Sequence, residues 1–207
     1  MAHYFTNDNL DSNIQKLNVK IFDINFTFYT DNGVFSKDRL DFGTRTFLEN
    51  LPIDEMKDST ILDVGCGYGP IGIILSKLTS SKITMIDVNR RALHLAERNI
   101  KENKVNDIRV MESDCYSQLE NEKFDYILTN PPIHAGKEKV YEIVMNARYH
   151  LEENGTLFIV IRKDQGAKSM MKDLAKYYTV EVIAKNKGFF IISCKISWLL
   201  DWNMLII

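Results

Sequence analysis

Thr60-Ile61-Leu62-Asp63-Val64-Gly65-Cys66-Gly67-Tyr68-Gly69-Pro70 decides the fold. A short apolar run stops at closely spaced glycines, which is the pattern of a buried strand meeting a tight turn. Pro70 then suits the first turn of a helix, where its missing N–H costs nothing. Ile71, Ile74, Leu75 and Leu78 follow at helical spacing. Strand, glycine turn and helix in this order open a βαβ unit.

Outward from this stretch, strand and helix patterns alternate. Lys82 to Asp87 reads as a strand, and Arg90 to Asn103 as a helix with Ala92, Leu93, Ala96 and Ile100 on one face. Ile108 to Met111 and Phe124 to Thr129 read as strands, the second ending at Asn130-Pro131-Pro132. Lys137 to Leu151 is predicted helical, Asn154-Gly155 a turn, and Thr156 to Ile161 a strand. A helix around Ala167 to Tyr177 precedes strands at Tyr178 to Ala184 and Phe189 to Ile196, joined by Lys185-Asn186-Lys187-Gly188 as a hairpin turn. The sum is an α/β, Rossmann-like, doubly wound and mostly parallel sheet with one antiparallel strand near an edge.

The first fifty-odd residues break this rhythm. Val19 to Phe22 and Asn25 to Tyr29 read as short strands and Thr44 to Leu51 as a helix. Residues 1–55 are therefore expected to form an N-terminal β/α extension packed on the sheet's ligand edge. Residues 56–196 form the main domain, and residues 197–207 are an apolar tail without an assigned role.

The chain has 207 residues, enough for one domain with a full core. Hydrophobic residues make up 45% and charged residues 26%, as in an ordinary soluble protein, and no apolar run is long enough to span a bilayer. Met1 to Thr6 lacks the basic and apolar start of a signal peptide, so a cytoplasmic location is expected. Cys66, Cys115 and Cys194 have no metal-ligand spacing and read as reduced thiols, with no metal expected. The net charge of -2 does not decide about nucleic acid. Arg162 to Lys195 carries eight Lys/Arg against three Asp/Glu. That excess reads as a solvated face or as a rim that tracks phosphates.

Ligands of doubly wound sheets bind at the carboxyl ends of the strands, where the strand order reverses. Gly65, Cys66 and Gly67 stand there, and glycines let the backbone approach a ligand closely. Gly67 to Gly72 also fits the dinucleotide pattern G-x-G-x-x-G. The match is displaced from the strand end, however, and Asp63 would face a pyrophosphate with like charge. An acidic residue suits a cofactor with a cationic amino group and a sulfonium, which is S-adenosyl-L-methionine. Asp87 is placed to accept from ribose hydroxyls, and Asp114, after the third strand, from an adenine amino group.

Asn130-Pro131-Pro132-Ile133 is the candidate transfer site. Two prolines stiffen the backbone and remove amide donors. The Asn130 side-chain oxygen and the Pro131 carbonyl remain as acceptors for the two N–H groups of one amine. Acceptors there turn a delocalised lone pair toward an electrophile and stabilise charge appearing on nitrogen.

The glycine turn combined with the Asn-Pro-Pro turn resembles the class I S-adenosylmethionine-dependent methyltransferases of the small-domain group. Gly33-Val34-Phe35-Ser36, Leu40-Asp41-Phe42-Gly43-Thr44 and Pro131-Pro132-Ile133-His134-Ala135-Gly136 are similar to the bacterial 16S rRNA guanine-N2 methyltransferases. The resemblance covers roughly residues 19–196, the catalytic half of such enzymes. It implies a seven-stranded sheet of order 3-2-1-4-5-7-6 with the seventh strand antiparallel, and a guanine amine in ribosomal RNA, or in the small ribosomal subunit, as acceptor. It also implies that Phe35, Gly43 and Thr44 border the cofactor or target. Ile133 stands where many relatives carry an aromatic ring, so Phe35 is the candidate to stack on a flipped base. His134 is a further candidate for contacting the target, against a plain loop-packing role. The Asn-Pro-Pro turn equally serves a protein glutamine or an adenine-N6 amine. A non-catalytic module that binds the cofactor for assembly is the alternative of another class. Oligomeric state is left open.

Overall fold

A computed structural model describes residues 11–34, 36 and 38–197. Phe35 and the tail from residue 198 on lie outside the described residues. The chain begins with β1 (Gln15–Ile21), β2 (Ile24–Thr30) and α1 (Phe42–Glu49). It continues as β3 (Thr60–Val64), α2 (Pro70–Thr79), β4 (Lys82–Asp87), α3 (Arg90–Asn103), β5 (Ile108–Glu112) and β6 (Phe124–Thr129). It closes with α4 (Lys137–Asn146), β7 (Leu151–Arg162), α5 (Ala167–Leu174), β8 (Tyr178–Asn186) and β9 (Phe189–Ile196).

Seven strands form one sheet of order β5-β4-β3-β6-β7-β9-β8. Pairing is parallel from β5 to β7, and β9 runs antiparallel to both β7 and β8. The order expected from the resemblance is the one found. It reverses between β3 and β6, so the carboxyl ends of these two strands flank the ligand crevice.

Strand alternation sends Ile61 to a core with α1, α2, α3 and the β1–β2 hairpin, and Leu62 and Val64 to a core with α4 and α5. Asp63 shares the face of Ile61, beneath α2.

Three boundaries differ from the sequence reading. The helix expected to reach Leu151 ends at Asn146 and passes through a 3-10 turn, Ala147–Tyr149. The His150 carbonyl accepts from Phe124 N (2.9 Å), so the chain is already joining the sheet there. Asn154-Gly155 is not a turn before β7 but a bulge within it. Pairing jumps from Phe124↔Leu151 to Tyr126↔Thr156, looping out the residues between. The β8–β9 connection narrows to Lys187-Gly188, both at positive φ (43° and 85°), as a two-residue hairpin demands.

The N-terminal extension divides its work. The β1–β2 hairpin, closed by Phe22-Asp23 at φ 50° and 60°, packs on α3 rather than on the ligand edge. Buried Asn99 of α3 bonds both the N–H and the carbonyl of Tyr29 (2.6 and 3.0 Å), and its amide also reaches the Tyr68 carbonyl (2.9 Å). Gly33, Val34, Ser36, Asp41 and Thr44 are the residues of the extension that line the crevice.

Candidate active site

The loop after β3 is pinned to the end of β4. Gly65 N and Cys66 N both donate to the Ile86 carbonyl (2.9 and 3.0 Å), and Gly67 N donates to Asp87 Oδ2 (2.9 Å). Gly65, Gly67 and Gly69 all have positive φ (73°, 56° and 89°), so an L side chain at any of them is strained. Nothing lies within 4 Å of where a Gly67 Cβ would be, and its bare backbone faces open space.

Asp87 receives one amide on each oxygen, Gly67 N on Oδ2 and Asn89 N on Oδ1 (2.9 Å each). Burial pushes its carboxyl above the ordinary range, against the pull of those amides. Each oxygen keeps lone pairs for further donors. Asn89 caps α3 by accepting from Ala92 N (3.2 Å), and its amide holds the Gly33 carbonyl (3.4 Å) at the mouth.

Asn130 ends the neighbouring strand, and Thr129 Oγ1 ties it down by donating to the Val64 carbonyl (2.9 Å). The Asn130 amide nitrogen donates to Thr44 Oγ1 (2.9 Å) and Asp41 Oδ2 (3.3 Å). Asp41 is also the N-cap of α1, accepting from Thr44 N at 2.9 Å. Both amide hydrogens are thereby engaged on α1, and Oδ1 receives no hydrogen bond among the described residues. The Pro132 carbonyl accepts from Ala135 N (2.9 Å), which folds Ile133–Ala135 into a 3-10 turn.

These groups wall one cavity of about 240 Å³. Gly65, Cys66, Gly67, Asp87, Thr44, Asn130, Pro131, Pro132, Ile133 and His134 all line it. Burial keeps the Cys66 thiol protonated, far above its usual range.

Two expected ligands are placed elsewhere. Asp114 is exposed, lies outside the cavity wall, and pairs with Lys139 (2.9 and 3.1 Å), which competes for the lone pairs that an adenine amine would need. Asp63 is fully buried behind the glycine loop, with Oδ2 accepting from Gly72 N (3.1 Å) in the first turn of α2. Its Oδ1 is buried without a partner. Burial, and then the charge of Asp87, push Asp63 up to about 7. Phe35 belongs to the residues not described.

Other wall residues had no individual site role in the sequence reading: Asp41, Asn89, Arg162, Gln165 and Phe189. The first was legible as a cap, since Asp41-Phe42-Gly43-Thr44 places an acceptor three residues before a helical N–H. The last three arrive only through the sheet order, which sets the end of β7 beside β6 and the start of β9 beside the end of β7, and no local pattern announces them.

A doubly wound sheet of this order, with a carboxylate-anchored glycine loop and an Asn-Pro-Pro turn on either side of its switch point, defines the fold of class I methyltransferases. The chain belongs to the methyltransferase small domain family, whose model matches residues 25–193. It is 41% identical over 197 residues to the Bacillus subtilis uncharacterized protein YbxB, covering 93% of this chain and 98% of that protein. It is 35% identical over 176 residues to ribosomal RNA small subunit methyltransferase C of Haemophilus influenzae, covering 83% of this chain and 52% of that protein. The chain thus spans about half the length of the small-subunit methyltransferases it matches. The structure of the T. thermophilus 16S rRNA N2 methyltransferase in complex with AdoMet and guanosine superposes with a TM-score of 0.81 at 21% identity, over 91% of this chain and 52% of that one.

The cofactor is S-adenosylmethionine, and the site fits it. Asp87 has acceptor capacity at the mouth, and the backbone at Gly67 is open to a close neighbour.

Proposed function

We propose that this chain methylates the exocyclic N2 amine of a guanine in ribosomal RNA of the small subunit. The observation that carries the reading of an NH2 group as acceptor is the orientation of Asn130. Asp41 and Thr44 bind its amide hydrogens, so its carbonyl oxygen is the end presented to the cavity. Relatives named as ribosomal RNA small subunit methyltransferases support the acceptor class.

S-adenosylmethionine, when bound, supplies an electrophilic methyl carbon on a sulfonium that leaves as a neutral thioether. Asp87 would receive the ribose hydroxyls on lone pairs left by the amides that hold it, and Gly65, Cys66 and Gly67 would give the close backbone wall. Asn130 Oδ1 and the Pro131 carbonyl accept the two N–H groups of the target amine. That turns the nitrogen lone pair toward the methyl carbon and stabilises positive charge as it appears on nitrogen. Fixing the acceptors in advance supplies most of the acceleration as orientation. Ile133 and His134 flank the entering base, and the spare proton leaves to water. Of the residues bordering the target, Phe35 is the one proposed to stack on it.

The test is incubation with labelled S-adenosylmethionine and separate pools of 16S RNA, assembled 30S particles, DNA and ribosomal protein, followed by mapping of the product. N2-methylguanine in RNA is expected. Label confined to glutamine in protein or to adenine would overturn the assignment of the acceptor, and no label in any pool would favour a binding module without catalysis.

A further inference from the structure

The wall of the catalytic cavity continues into a second cavity of about 200 Å³, and Ile133 and Gln165 belong to both. One water needs about 10–15 Å³ on this measure, so the space is larger than a hydration site. Val140 and Met170, both core residues, give it an apolar floor. Tyr141 and Lys137 of α4 line one side, with Lys137 Nζ 5.0 Å from the Tyr141 ring centre. Tyr141 Oη donates to Asp173 (3.0 Å), which fixes the ring, while Asp173 itself also pairs with Lys176. Exposed Gly166 and Ser169, at the start of α5, form the other lip.

We infer that this cavity receives the nucleotide next to the target in the same RNA strand, its base against Tyr141 and Ile133 and its phosphate toward Lys137. The inference rests on the RNA reading given above. Its first support is continuity. Ile133 and Gln165 belong to both cavities, so a strand whose target base enters beside Asn130 has this space next along the wall. Its second support is chemistry. An aromatic face, an apolar floor and a cation at the rim are what single-stranded RNA sites combine, stacking a base and neutralising its phosphate. A free nucleoside has no flanking residue and gains nothing there. A flanking nucleotide adds stacking and charge, so the cavity distinguishes a strand from an isolated base.

The experiment compares a pentameric single-stranded RNA with a central guanine and guanosine, each binding the full chain loaded with S-adenosylhomocysteine. Ser169→Trp fills the cavity from its exposed lip, and Tyr141→Ala removes its aromatic face. Each is expected to weaken the pentamer roughly tenfold, the stacking of one base, and to leave guanosine and cofactor affinity unchanged. Tyr141→Phe keeps the ring and loses only the Asp173 bond, so it should bind the pentamer like wild type. Equal weakening of both probes, no weakening of the pentamer, or a Tyr141→Phe loss as large as that of Tyr141→Ala would each overturn the inference. If the wild-type chain binds neither probe, the RNA reading itself fails and takes this inference with it.

Discussion

At the scale of single residues, the two ends of the Asn130 amide have different duties. The nitrogen is spent on Thr44 and Asp41, so the oxygen is set without any rearrangement when a substrate arrives. Removing one preorganised acceptor or donor of this kind costs about 10²–10³ in turnover. Asn130→Ala is therefore expected to lose activity on that order in single-turnover methylation, while cofactor affinity by calorimetry changes far less. A mutant as fast as the parent would remove the proposed mechanism. Asp63 makes a second prediction, about pH. Its folded value near 7 stands above the unfolded value of about 3.9. Between those values the native state keeps a proton that the unfolded chain has released. Stability from this group is complete below pH 4, falls as pH rises toward 7, and is flat above. Asp63→Asn should abolish that slope in urea midpoints measured between pH 5 and 8. A bound cationic ligand favours the carboxylate, so cofactor binding at pH 7 should release a proton in wild type and less in Asp63→Asn. Calorimetry in two buffers of different ionisation enthalpy reads this directly, and equal proton release by the two proteins would separate Asp63 from the cofactor.

At the scale of elements, α1 is the piece that joins the N-terminal extension to the chemistry. Its N-terminus meets β9 at Gly43, where an added Cβ would stand 2.6 Å from Phe189 Cε1 and 2.8 Å from Asp41 Oδ2. Alanine normally gains about 1 kcal/mol over glycine within a helix. Here the gain is small, because Gly43 is in the first turn, and the Phe189 ring is already flanked by Phe42 at 5.8 Å between ring centres. Overpacking costs about 1–3 kcal/mol, so the clash wins. Gly43→Ala is expected to lower the melting temperature and also turnover, because both neighbours it would displace line the cavity. A melting temperature at or above the parent's would show that the ring yields freely. This junction also shows where sequence reading stops. The alternation of β3 to β6 with their helices was legible because each strand carries a short, mostly apolar run and each helix keeps an apolar stripe. The Asp63 face was not foreseen, since its burial under α2 depends on strand parity relative to a helix, and the lysine that competes for Asp114 comes from α4, distant in sequence. The bulge in β7 was read as a turn because Asn154-Gly155 has turn chemistry in either setting.

At the scale of the whole molecule, the charge excess from Arg162 to Lys195 acquires a place. Arg162 lines the cavity, and the tip of the β8–β9 hairpin carries exposed Lys185 and Lys187, with Lys187 Nζ 5.0 Å from the Phe42 ring and Lys185 Nζ 5.1 Å from Phe190. Sequence alone left a solvated face and a phosphate-tracking rim both open, because whether these lysines reach the crevice depends on the antiparallel return of β9 beside β7. The fold sets them at the same end of the sheet as Asn130, while the opposite end carries none of the chemistry described above. The two readings differ in salt dependence. A lysine that neutralises one phosphate of a single strand releases counterions and adds about 0.7 to the slope of log affinity against log salt. Replacing Lys185 and Lys187 together by alanine should therefore lower the slope for single-stranded RNA by about 1.4 and weaken binding at low salt across sequences, with cofactor affinity unchanged. Filter binding over a salt series measures it. A solvated face predicts parallel lines for the two proteins, because lysines that never meet a phosphate release no counterions when RNA binds.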